Sequence, residues 1–110
     1  MGLSGVMNVA IFGMLASTNR LSATAQNVAN MDTPGYRRIN ASSSATEGGG
    51  VSTSVTENDA AEGSASDVDL GTEMLDMMEA ETSFKANASV FEAGADMWDV
   101  LMTINRGDDQ

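Results

Sequence analysis

Leu70, Met77, Phe84, Phe91 and Trp98 recur every seven residues, and Met74, Glu81, Ala88, Ala95 and Met102 follow each of them by four. A period-seven series this long has few solutions: it is the seam of a long helix that packs against another helix. The pattern predicts a helix over residues 68–106, about 57 Å long. Asp67 or Asp69 supplies its N-cap, Glu73 lies in the early turns where the helix dipole favours an acid, and Arg106 and Gly107 mark its end. Residues 3–30 repeat in the same way, with Met7, Met14, Leu21 and Val28 on one row and Leu3, Ala10, Ser17 and Thr24 on the other. That predicts a second helix of about 40 Å. The bulky Phe84, Phe91 and Trp98 are matched in size to the small Ala10, Ser17 and Thr24.

Between the two helices the composition changes. Residues 40–66 are rich in Ser, Gly and Ala, which predicts a flexible segment. Val51–Thr56 alternates enough for a short strand, with Tyr36–Ile39 as its partner in a minimal hairpin. The expected fold class is therefore all-α: N- and C-terminal amphipathic helices paired as an antiparallel coiled-coil hairpin, joined by a flexible Ser/Gly-rich middle with room for a short β-hairpin. The expected divisions are residues 1–33, 34–66 and 67–110. Two helices alone bury little, so neighbouring subunits are expected to supply much of the order.

The chain has no cysteine and no histidine, which removes disulfides, thiolate chemistry, the usual general base and the usual nitrogen metal ligand. No catalytic residue, cofactor site or metal site is predicted, and no small-molecule substrate. Glu73, Asp76, Glu79 and Glu81 spread around their helix and are expected to form a solvated or partner-facing surface rather than a metal site. The net charge of −11 argues against nucleic acid as a partner. Residues 1–38 are net basic and residues 67–110 strongly acidic, which favours pairing of the two ends. Residues 6–15 are as long as the apolar core of a signal peptide, but no Lys or Arg precedes them and Asn8 interrupts them; they are read as helix.

The first helix ends on Asn27-Val28-Ala29-Asn30-Met31-Asp32-Thr33-Pro34-Gly35-Tyr36. Pro34 and Gly35 suit the two central positions of a type II turn. By themselves the residues read as a helix stop followed by a turn, and the amides of Asn27 and Asn30 are also placed to bond laterally to a neighbouring chain.

This segment resembles the N-terminal signature of bacterial flagellar rod and hook proteins, close to Ala-Asn-Ile-Ala-Asn-x-Asn-Thr-Pro-Gly-Tyr. Asn27, Ala29, Asn30, Thr33, Pro34, Gly35 and Tyr36 carry the match; Asp32 stands where the family has asparagine. The segment from Val68-Asp69-Leu70 through Glu73-Met74, Glu79-Ala80 and Phe84, and the closing Asp96-Met97-Trp98-Asp99-Val100-Leu101, is similar to that family's terminal helix. The resemblance covers about two-thirds of the chain.

It implies two terminal helices packed as a coiled coil lining the inner tube of an axial filament, with the middle as an outer segment. That segment is short here, which fits a rod-type subunit better than a hook subunit. Implied partners are copies of the chain, other flagellar rod and axial proteins, and the flagellar export apparatus. The implied location is the basal-body rod in the periplasm, reached without a cleaved signal peptide. The packing and assembly residues are then Met7, Met14, Leu21, Val28, Leu70, Met74, Met77, Phe84, Phe91, Trp98 and Met102. The alternative is a soluble binding module, an acidic helical-hairpin adaptor or export chaperone, which needs the seams but not the Pro-Gly turn.

Overall fold

The computed structural model describes residues 2–59 and 65–107. Four elements follow one another: α1 (Leu3–Ala29), β1 (Ile39–Ala45), β2 (Val51–Glu57) and α2 (Leu70–Gly107). The molecule is a thin slab of 74 × 25 × 14 Å.

The two helices lie antiparallel. Leu3 shares a cleft with Met97, Met7 packs on Gly94, Gly13 on Asn87, Arg20 pairs with Glu79, and Asn27 bonds Glu73. The contact on α1 runs through Ala10, Ser17 and Thr24, the small row of the sequence pattern, together with Asn27. On α2 it runs through Glu73, Ala80, Asn87 and Gly94. That row is set one position before Met74, Glu81, Ala88 and Ala95. Small side chains decide this rotation. A Cβ on Gly94 would stand 2.8 Å from Met7 Cγ, and one on Gly13 would stand 2.5 Å from the Asn87 amide. A methyl group at these points would force the Asn87 amide or the Met7 side chain to shift, and Phe or Trp at the contact would wedge the helices apart. This close approach accounts for a glycine in mid-helix, which costs about 1 kcal/mol relative to alanine.

The middle of the chain corrects the all-α, flexible-linker expectation. Residues 39–57 form a two-stranded antiparallel sheet in register from Ile39↔Glu57 to Ala45↔Val51. Only Ile39 of the expected partner strand takes part; the rest of β1 is the Asn-Ala-Ser-Ser-Ser-Ala run that lacks apolar alternation. Its serines lie opposite hydroxyl residues, Ser42↔Ser54, Ser43↔Thr53 and Ser44↔Ser52, with Ser43 Oγ 3.2 Å from Thr53 Oγ1. Gly48 and Gly49 close the hairpin at φ of 93° and 90°, a left-handed region open mainly to glycine. An isolated hairpin is marginal in water. This one is laid along α1, with Gly49 against Val9 and Gly50 near Phe12, so its tip lies by the start of the helix and its base by the end. Of the expected polar linker around residues 59–65, residues 60–64 lie outside the described residues.

Asp69 caps α2, accepting from Gly71 N–H and Thr72 Oγ1, both at 3.1 Å. Asp67, the other expected cap, is engaged elsewhere.

Candidate functional site: a polar junction and an open helix face

At the base of the hairpin, α1, β1 and α2 converge on the side chain of Asn27, which is 1% exposed. Its Nδ2 donates to the Ile39 carbonyl (2.8 Å) and to Glu73 Oε2 (3.2 Å). Its Oδ1 accepts from the Ile39 N–H and the Tyr36 hydroxyl, both at 2.9 Å. All four hydrogen-bonding positions of the carboxamide are filled within the chain. The lateral bond to a neighbour that the sequence left open for Asn27 is therefore not available to it.

Asn30 behaves differently. Its Nδ2 returns to the Gln26 carbonyl (2.9 Å) and its Oδ1 accepts from Thr33 Oγ1 (3.2 Å), which closes the end of the helix. Thr33 to Tyr36 then form a turn, with the Tyr36 N–H donating to the Thr33 carbonyl at 3.2 Å and Gly35 at φ 78°. Ala29, Thr33, Pro34 and Gly35 are exposed, and Tyr36 is half-buried over Asn27.

Arg38 is the second hub. Its guanidinium bonds Glu73, Asp76 (2.5 Å) and Asn40, its own N–H donates to Asp67 (2.5 Å), and its carbonyl accepts from Asn58 (2.9 Å). Glu73 is completely buried, which corrects its reading as a solvated or partner-facing acid. A buried carboxylate needs a cation and donors in good geometry, and Arg38 with Asn27 provides both. Burial works to lower the Arg38 pKa, but its hydrogen bond and charge pairing with Glu73, with Asp76 adding to them, outweigh this and hold it above its ordinary value. Burial, then the charges of Glu73, Glu57 and Asp67, raise the Tyr36 phenol. A side-chain hydrogen bond from Asn58 leads the causes that lower Asp67. The opposite charges of the two ends meet here and at Arg20–Glu79 (3.3 Å).

Sequence reasoning missed Arg38, Glu73, Asp67 and Asp76 as one cluster. The available signal was a cation directly after the signature and acids at the start of the last helix. Among the described residues, no group of three or more acidic side chains is placed to hold a metal ion, and no helix is long and apolar enough to cross a membrane.

The expected packing stripe occupies a second feature. The hairpin covers the side of α1 that carries Val9, Phe12 and Ala23. Met7, Met14, Leu21 and Val28 lie toward the other side by helical periodicity, beside Leu70, Met77, Phe84, Phe91 and Trp98 of α2. Leu21 and Phe84 line one apolar dent there, of about 230 Å³, over Ser17 and Ala80. Met7, Met14, Val28 and Phe91 are half-buried; Leu21, Leu70, Met74, Met77, Phe84, Trp98 and Met102 are exposed, Trp98 by 50%. Glu81 and Lys85 form a solvated ion pair on this part of α2, 2.8 Å apart.

Comparison with known proteins finds flagellar relatives for both ends of the chain. Residues 7–37 match the family described as flagella basal body rod protein, and residues 63–104 match the one described as flagellar basal body rod FlgEFG protein C-terminal. Models of flagellar basal body rod proteins thus match both ends of the chain. Among curated relatives, it is 42% identical over 41 residues to the flagellar hook protein FlgE of Brucella suis biovar 1 (strain 1330), covering 37% of this chain and 10% of that protein. It is 50% identical over 38 residues to the FlgE of Rhizobium meliloti (strain 1021), covering 34% of this chain and 9% of that one. The chain thus matches only about a tenth of the length of these hook proteins. Members of the rod and hook family are structural components of the flagellum rather than enzymes. The first family match ends just after Tyr36 and the second spans most of α2, so between them they take in the residues of the junction from Asn27 to Tyr36 and from Asp67 to Asp76.

Proposed function

We propose that this chain is a short structural subunit of the flagellar basal-body rod, which assembles with copies of itself and with other axial proteins through its helix pair. The observation that carries the reading is the open apolar face beside the helix contact, on a chain whose two ends match flagellar basal body rod proteins. Assembly uses Met7, Met14, Leu21 and Val28 of α1 and Leu70, Met74, Met77, Phe84, Phe91, Trp98 and Met102 of α2 as coiled-coil contacts between subunits. A head-to-tail arrangement of such contacts extends into an open helical filament.

The rod is favoured over the hook because only residues 38–62 separate the two matched segments, and the described residues among them hold one hairpin. The family resemblance supports a periplasmic location and delivery by the flagellar export apparatus without a cleaved signal as part of this reading. Deleting the gene and imaging isolated basal bodies tests the function. Loss or shortening of the rod, with loss of swimming, is expected; an intact rod in swimming cells overturns it.

A further inference from the structure

We propose that Asn27 positions the β-hairpin on the helix pair, its carboxamide acting as a third strand at Ile39. A strand residue offers a neighbour one N–H and one C=O. The Asn27 side chain offers the same pair, and Ile39 uses both, accepting at 2.8 Å and donating at 2.9 Å. Ile39 is the first residue of β1, opposite Glu57. Its two backbone groups face Asn27 and so leave the ladder to their neighbours, which fixes where β1 starts and which way its side chains alternate. The contacts at the hairpin tip, Gly49 on Val9 and Gly50 by Phe12, are apolar and carry no such register.

No other side chain fits this position. Aspartate keeps the acceptor, loses both donors and sets a second carboxylate beside buried Glu73. Glutamine is one methylene too long. Leucine fills the volume and leaves the Ile39 amide and carbonyl without partners. The remaining two bonds, from Tyr36 and to Glu73, hold the carboxamide plane, so α1, the turn, β1 and α2 are tied at one atom group. Asn30 has only local partners, within four residues, so the two asparagines of the signature have separate tasks.

The sequence carries a single tyrosine, Tyr36, which reports on this site by its own ultraviolet titration. Asn27→Ala and Asn30→Ala are compared with the parent by hydrogen exchange at the Ile39 amide and by Tyr36 titration at 295 nm. Asn27→Ala is expected to speed Ile39 exchange by at least about tenfold and to bring the Tyr36 midpoint down toward its ordinary value, while amides at Ser17 and Ala80 keep their protection. Asn30→Ala is expected to change Ile39 exchange by less than about twofold. Should Asn27→Ala lose its helix signal, Tyr36→Phe removes one of the four bonds without adding bulk, and a several-fold rise in Ile39 exchange with unchanged helix content supports the assignment. Unchanged Ile39 exchange in a folded Asn27→Ala or Tyr36→Phe protein overturns it, as does an equal rise in Asn30→Ala.

Discussion

Arg38→Met tests how much of the fold depends on the junction. Among the described residues Arg38 is the cation bonded to Glu73, and their side chains are 17% and 0% exposed. Methionine keeps most of the stem volume and removes the charge. Glu73 then stays buried with Asn27 as its remaining side-chain donor. Stripping one partner from a buried ion pair costs about 3–5 kcal/mol. Asp76 is more solvated and adds little to that figure. Small domains have about 5–15 kcal/mol of stability in all, and among the described residues the buried apolar core is Ala10, Ala16, Ala23 and Ala80. Arg38→Met is therefore expected to lose most of its stability in urea unfolding followed by circular dichroism at 222 nm. Adding Glu73→Leu should recover a large part of the loss, because it removes the stranded charge. A loss under about 1 kcal/mol in the single variant, or no recovery in the double variant, refutes the electrostatic account of the junction.

Two further outcomes follow from packing and titration. Gly94→Leu drives a side chain into Met7 and should destabilise the helix pair by about 1–3 kcal/mol, read from the urea midpoint; an unchanged midpoint contradicts the close contact. The Tyr36 pKa is raised in the fold, so its contribution to stability is complete below its ordinary value of 10.0 and is lost as pH rises through the folded-state value. The stability difference between the parent and Tyr36→Phe should accordingly be flat from pH 7 to 9 and shrink in more alkaline solution; a difference that grows with pH contradicts it.

Much of the fold was legible in the chain itself. Period-seven patterning and the Pro-Gly turn set α1 within one residue of its observed end and α2 within two of its start. The small row of α1, Ala10, Ser17 and Thr24, was legible as a contact, but the rotation of α2 was not, because apolar periodicity marks its stripe of large side chains, whereas it meets α1 through Glu73, Ala80, Asn87 and Gly94. β1 was hidden for a related reason: Ser42, Ser43 and Ser44 carry no alternation, and what holds them in a strand is β2 and α1, remote in sequence. The signature asparagines were visible as residues, but the bond from Asn27 to Glu73 spans 46 positions and only the folded chain brings it together. The same holds for Arg38, whose acidic partners on α2 looked like one more solvated ridge.

The open face is the centre of the functional account, and substituting it tests that account most directly. Trp98→Asp places charge on an exposed position of the apolar stripe, Phe91→Asp on a half-buried one, and neither residue belongs to the polar junction. Each purified protein should keep the helix signal of the parent, and basal bodies isolated from strains carrying each variant should lack the subunit by quantitative mass spectrometry. Variant subunits present in basal bodies at the parent's level, in normally swimming cells, would contradict assembly through this face.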